Sequence, residues 1–297
     1  MSDTTATAPA AGIGVALMRA VRSFGLLRES WVGMLGAGII GFWVLVAIFA
    51  PLVAPFDPLA TLQPFATPGS AWEGGEGTFW LGTDQLGRDI LSRIIHGSRT
   101  VLFYAPVATA CAYIVGIVMG LFAGYMRGWV DDVLSRIADI ILSFPVLVLY
   151  VVIIATIGAS GINIILAITF ASGPGIMRIV RGLVLDLRNR EYVAAAQTRG
   201  ETSWFIMLVE ILPNARGPLI VDACLRLGYV IITIGVLGFL GLGLPPPNPD
   251  WGGMVNEARP MAMAFPFMAI YPCLAISSLV LGFNLVADGL REISLRD

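Results

Sequence analysis

Long apolar runs separated by short polar segments dominate the chain. A helix needs roughly 20 apolar residues to cross about 30 Å of hydrocarbon. Residues 32–54 and 100–125 each supply one such run. Between Asp139 and Arg178 lie 38 residues without a charge. As one helix that stretch would be about 57 Å long, too long for a single crossing. The cluster Gly158-Ala159-Ser160-Gly161 divides it, which predicts spans over 134–157 and 162–182. Two more runs, 217–243 and 266–288, complete the set. The pattern therefore predicts an all-α integral membrane protein with six transmembrane helices and both ends on one side.

Composition agrees with that class. Apolar residues make up 57% and charged residues 13%, against about 45–50% and about 25% in soluble domains. All 18 basic residues are Arg. A phosphate-binding P-loop needs its Lys, as does a Schiff-base enzyme, so ATP hydrolysis is not expected on this chain. With the N-terminus inside, only Arg88, Arg93, Arg99 and Arg259 fall outside. The positive-inside rule then places both termini in the cytoplasm. Residues 1–30 read as a cytoplasmic lead-in and not a secretory signal, because the apolar run that follows is too long. Cys111, Cys224 and Cys273 sit in apolar runs at unrelated positions and read as small core residues. His96, the sole histidine, has no second His or Cys nearby to make a metal site. No HExxH, GxSxG or paired intramembrane carboxylates suggest an enzyme.

Glu191–Pro213, EYVAAAQTRGETSWFIMLVEILP, is the sizeable polar segment of the apolar second half. Small residues Ala194, Ala195 and Ala196 allow close approach by another protein, Gly200 favours a turn, and Pro213 stops the following run. The expectation is two short helices at an angle, exposed in the cytoplasm as a docking surface.

That segment resembles the coupling loop of ABC importer permeases: Glu-Ala-Ala, three residues, Gly, about ten residues, then Ile-Leu-Pro. Ala195, Ala196, Gly200, Ile211, Leu212 and Pro213 match. The pattern's Glu slot is Ala194, and Glu191 lies one turn earlier. Three further segments, LGTDQLGRDILSRIIHGSRT (81–100), FLGLGLPPPNPDWGGM (239–254) and FNLVADGLRE (283–292), resemble the second permease of dipeptide, oligopeptide and nickel importers.

The resemblance implies the type I ABC importer permease fold. It divides the chain into a cytoplasmic segment (1–30), a first helix with an outer loop (31–98), an importer transmembrane domain (99–290) containing coupling loop 188–216, and a cytoplasmic tail (291–297). It implies a homologous second permease, two P-loop ATPases, an extracytoplasmic substrate-binding protein and membrane lipid as partners, without nucleic acid, cofactor or metal. ATPase contact would fall on Glu191, Tyr192, Ala194, Ala195, Ala196, Gly200, Ile211, Leu212 and Pro213. The location would be the bacterial inner membrane and the cargo a dipeptide, oligopeptide, glutathione-like compound or metal chelate. A stand-alone secondary transporter or channel is the alternative; it would call for internal repeats and mid-membrane polar residues.

Four local readings remain. Thr83 or Asp84 would cap a short amphipathic helix at the outer interface, its polar face carrying Arg88, Ser92 and Arg99. Gly116, Gly120 and Gly124 put small residues on one helix face, for packing within the subunit or on a partner. Gly235, Gly238, Gly241 and Gly243 mark either a flexible helix end or a tight contact. Asp222 and Arg226, four apart near the inner end of the fifth span, read as a structural ion pair close to the interface or an intramembrane functional site.

Overall fold

A computed structural model describes residues 30–294. The lead-in expected over 1–30 lies, except for Ser30, outside the described residues. In order come α1 (Trp31–Ile48), α2 (Ala50–Val53), a small hairpin of β1 (Ser70–Ala71) and β2 (Thr78–Phe79), and α3 (Ile90–Met126). Then come α4 (Gly128–Leu142), α5 (Val146–Ile157) and α6 (Gly161–Leu187). A polar segment follows with α7 (Glu191–Thr198), α8 (Ser203–Phe205) and a π-helical turn, Ile206–Ile211. The chain ends with α9 (Leu212–Phe239), α10 (Trp251–Ala258), a 3-10 turn (Arg259–Met261) and α11 (Phe267–Ser294). α11 thus takes in the start of the expected 291–297 tail.

Among the described residues, five helices are long and apolar enough to span a membrane. The pair α4 and α5 makes a sixth only if counted as one span bent by 87°. The third crossing is therefore not the straight helix expected over 134–157. Pro145 has no N–H to give and disfavours helical backbone at Phe144, so the helix breaks there. The outward side chains suit an apolar solvent: Trp31, Phe42, Leu52, Ile162 and Phe170 are all exposed.

α3 and α6 form the central pair. Gly116, Gly120 and Gly124 face Ile176, Val180 and Val184 in ascending order, so the two helices run parallel. A Cβ at Gly120 would stand 2.5 Å from the Val180 Cβ and 2.8 Å from the Met177 carbonyl oxygen. The glycine stripe is thus spent on packing inside this subunit. α11 lies antiparallel to α1: the Trp43 indole donates to the Ser278 hydroxyl at 2.9 Å, and the Ser30 hydroxyl donates to Glu292 at 2.9 Å.

α3 starts ten residues before the expected 100. Asp89, and neither Thr83 nor Asp84, caps it by accepting from the Ser92 N–H at 2.7 Å. The early turns are covered by loops, so Arg88, Ser92 and Arg93 are buried and only Arg99 of the expected polar face is exposed. The segments 81–100 and 239–254, far apart in sequence, close on each other at this end. The fully buried Trp251 donates its indole N–H to the Ile94 carbonyl at 2.9 Å, and its ring meets Trp43 edge-on at 4.9 Å. Thr100 donates to the Pro249 carbonyl at 3.0 Å. The glycine-rich end of α9 is a tight contact: a Cβ at Gly238 would stand 2.3 Å from an Asp250 oxygen and 2.7 Å from the Gly253 nitrogen.

Candidate functional site

The α7 region is a helical hairpin built on local rules. Within α7, Val193 and Ala196 are one turn apart and wholly buried. They join Ile206, Met207, Ile211 and Ala215 in one apolar cluster with Val180 and Val184 of α6. Glu191, Ala194 and Ala195 point away and are exposed. The helix ends in a Schellman motif: Gly200 N–H donates to the Gln197 carbonyl at 3.0 Å and Glu201 N–H to the Ala196 carbonyl at 3.2 Å. Gly200 holds φ +78° with open space where a Cβ would go, so its requirement is conformational and not steric. Arg199 joins the two arms, 3.1 Å from Glu210 and 3.6 Å from Glu201. Tyr192 is half-buried, and its hydroxyl has no hydrogen-bond partner among the described residues. Its pKa is raised by burial.

Two expectations change here. Ala196 and Ile211 face inward, so they hold the hairpin on the bundle and offer no surface to another chain. Pro213 does not stop the second arm: Ser203–Phe239 is one continuous 37-residue helix. The widened π-turn explains it. Leu212 N–H bonds five residues back to the Met207 carbonyl, and that wider turn directly precedes the Pro213 ring. Leu212 is half-buried and Pro213 exposed at the start of α9.

A second arrangement lies in the bundle interior. Arg226 Nε donates to Asp222 Oδ2 at 2.7 Å, and the Tyr113 hydroxyl donates to the same oxygen. Arg226 is 14 residues into α9 and 13 from its end. Arg226 therefore lies about 21 Å from the start of α9. Arg226 borders a cavity of about 280 Å³ that Tyr150 and Ser172 also line, their hydroxyls 3.1 Å apart.

The opposite end carries a buried charge cluster. Arg88 bonds Asp84 and Glu257, each at 2.7 Å, and Arg93 bonds the same two at 2.5 and 2.8 Å. Asp250 is buried alongside; burial raises its pKa to about 6, with Glu257 adding to the rise while the Gly253 and Gly252 N–H groups and Arg93 oppose it. No local sequence signal joins residues 84 and 257. The Asp222–Arg226 spacing was visible in the sequence, but Tyr150 and Ser172 are single hydroxyls in apolar runs.

Five membrane-length helices with a polar hairpin at one end and a cavity between them make an architecture suited to a membrane permease. Residues 116–297 match the family described as binding-protein-dependent transport system inner membrane component, and residues 22–68 match the N-terminal TM domain of oligopeptide transport permease C. The chain belongs to this family of importer permeases. It is similar to a di/tripeptide transport system permease protein of Pseudomonas aeruginosa, 41% identical with 90% of each chain covered. A dipeptide transport system permease of Alkalihalophilus pseudofirmus is 38% identical, covering 91% of this chain and 87% of that one. A glutathione transport system permease of Pectobacterium atrosepticum is also 38% identical, covering 89% of each. Among solved structures, the inward-facing MetNI methionine ABC transporter matches with a TM-score of 0.58 at 18% identity, over 69% of this chain and 97% of that one. The fold is thus that of an ABC importer permease, a multi-pass inner-membrane component. Such a subunit works with a second permease, an ATPase and a substrate-binding protein.

Proposed function

We propose that this chain forms half of the translocation pathway of an importer for dipeptides, tripeptides or glutathione-like solutes. In this reading it pairs with one homologous permease and two P-loop ATPase subunits in a lipid bilayer, with both termini and α7 in the cytoplasm. One observation carries the coupling role. α7 presents Glu191, Ala194 and Ala195 outward while Val193 and Ala196 lock its other face into the bundle. Through Gly200 it leads directly into the 37-residue helix Ser203–Phe239. A push on α7 thereby reaches a transmembrane helix through a short turn. ATP-driven closure of the ATPases would shift α7 and reorient the helices around the pathway.

The test is copurification of the ATPase and substrate-stimulated ATP hydrolysis at equal permease levels. Ala195→Asp puts a charge into a small-residue contact, and Gly200→Val forces a β-branched residue into left-handed backbone at a cost of about 1–3 kcal/mol. Both variants are expected to remain in the membrane and to shed or uncouple the ATPase. Retention of complex and stimulation by both would refute the coupling role. Ala196→Asp is a different experiment: it buries a carboxylate beside Val193 and Ile206 and is expected to lower permease levels instead.

A further inference from the structure

The interior arginine is only half used. Arg226 gives Nε to Asp222, and the Tyr113 hydroxyl completes that contact. Its guanidinium also meets the Tyr113 hydroxyl, and its two terminal nitrogens extend beyond Asp222. They lie beside Gly175 of α6, where a Cβ would stand 3.6 and 3.7 Å from them. The guanidinium thus reaches from α9 to α6 along the wall of the 280 Å³ cavity. Tyr150 and Ser172 bring two hydroxyls to that cavity, and Val146 and Ile176 supply apolar walls. Tyr229, 68% exposed, marks the mouth on a face this chain leaves uncovered.

We infer that this cavity is a transit subsite for the cargo's carboxylate, with the Arg226 fork as its partner and Tyr150 and Ser172 as flanking hydroxyls. A structural pair alone would be satisfied through Nε. The planar terminal donors match the two oxygens of a carboxylate. Asp222 keeps the guanidinium pointing across the cavity and offsets part of its charge, which suits a site that must also release. The inference rests on the peptide-importer reading, since di- and tripeptides and glutathione all bear a free carboxylate.

The test reconstitutes the full importer with its binding protein in vesicles and measures dipeptide uptake per ATP hydrolysed. The charge-neutral double variant Asp222→Asn/Arg226→Gln keeps a hydrogen-bonded pair without a guanidinium. It is expected to lower uptake per ATP about tenfold or more, the scale of one lost charge-assisted bond. Arg226→Lys, which keeps the charge without the fork, should fall between. Tyr150→Phe, which preserves the packing, provides a reading should the double variant fail to assemble, and is expected to lower the same ratio several-fold. A purely structural role would lower uptake and hydrolysis in proportion, leaving the ratio unchanged, and that result overturns the subsite. A drop seen only in vesicles containing anionic lipid would assign the fork to a lipid phosphate and also overturn it. Failure of the wild-type importer to move any di- or tripeptide would overturn the substrate reading and this inference together; wild-type uptake with unaffected variants would overturn the subsite alone.

Discussion

Gly120→Ala should destabilise the subunit although it adds a single methyl group. The new Cβ would stand 2.5 Å from Val180 Cβ, 2.8 Å from Val180 Cγ1 and 2.8 Å from the Met177 carbonyl oxygen. Carbon atoms pack at about 3.5–4.0 Å, so the two helices must part by about 1 Å at this level. Neither neighbour can swing aside: one is the branch point of a β-branched side chain and another is backbone. The displacement spreads, because Gly116 meets the Ile176 Cβ at 2.5 Å and Gly124 the Val184 Cβ at 2.7 Å by the same measure. A gap of 0.5–1 Å already forfeits a quarter to a half of a contact's dispersion energy. Overpacking of this kind costs about 1–3 kcal/mol, so Gly120→Ala should fall near the upper end and Gly120→Leu beyond it. The assay is the thermal midpoint of the detergent-solubilised complex, with membrane levels in parallel. Gly182→Ala in α6 is the internal control, since a Cβ there meets nothing within 4 Å. Equal midpoints for Gly120→Ala and Gly182→Ala would refute the close-packing account.

Two further outcomes follow from charge and burial. In a background lacking Cys111, Cys224 and Cys273, Glu76→Cys should react with impermeant thiol reagents from outside the cell and Gln197→Cys only from inside; both positions are exposed, and the reverse pattern would invert the topology. Asp250, moved from the ordinary 3.8 up to about 6 by burial, binds its proton more tightly in the folded state. Its contribution is therefore fully present below about pH 4 and is lost as pH rises to about 6, a change of about 3 kcal/mol. Asp250→Asn should flatten the stability profile between pH 4 and 6, and an unchanged slope would show that Asp250 does not titrate there.

The membrane class, the number of crossings to within the bent pair, and the four family-like segments were legible because each is local. An apolar run of about 20 residues announces itself wherever it lies. The misread points are places where one local rule met another. Pro213 was expected to end a helix, and it would have done so without the preceding π-turn, which a single sequence does not display. Pro145 broke a helix where its apolar surroundings read as continuous. Ala196 matched a small-residue pattern, but the i, i+3 spacing of Val193 and Ala196 was the better guide to which side of α7 faces in. Arg88 and Ser92 read as an interfacial face because their partners are remote: Glu257 lies 169 residues from Arg88, and the Phe56 N–H that donates to the Ser92 hydroxyl lies 36 residues away. Non-local partners of that kind leave no trace in local periodicity.

The continuous helix Ser203–Phe239 joins what the sequence showed as separate features. At one end it carries the α7 hairpin, about two thirds of the way along Arg226, and at its far end Gly238 against Asp250. Gly238 packs closely against Asp250, which is itself fixed by accepting from the Gly253 N–H at 3.0 Å. That end is therefore the natural fulcrum. Arg226 lies about 18 Å from it and Ser203 about 53 Å, at 1.5 Å per residue. A rigid swing would move the guanidinium about a third as far as the hairpin. The helix is not uniformly rigid, however: the π-turn and Pro218 both lie between hairpin and arginine, and each removes or lengthens a backbone bond. Bending there reduces further what reaches Arg226. The cavity should thus shift by small steps while the hairpin travels far, the geometry required if a carboxylate is to be held briefly and passed on.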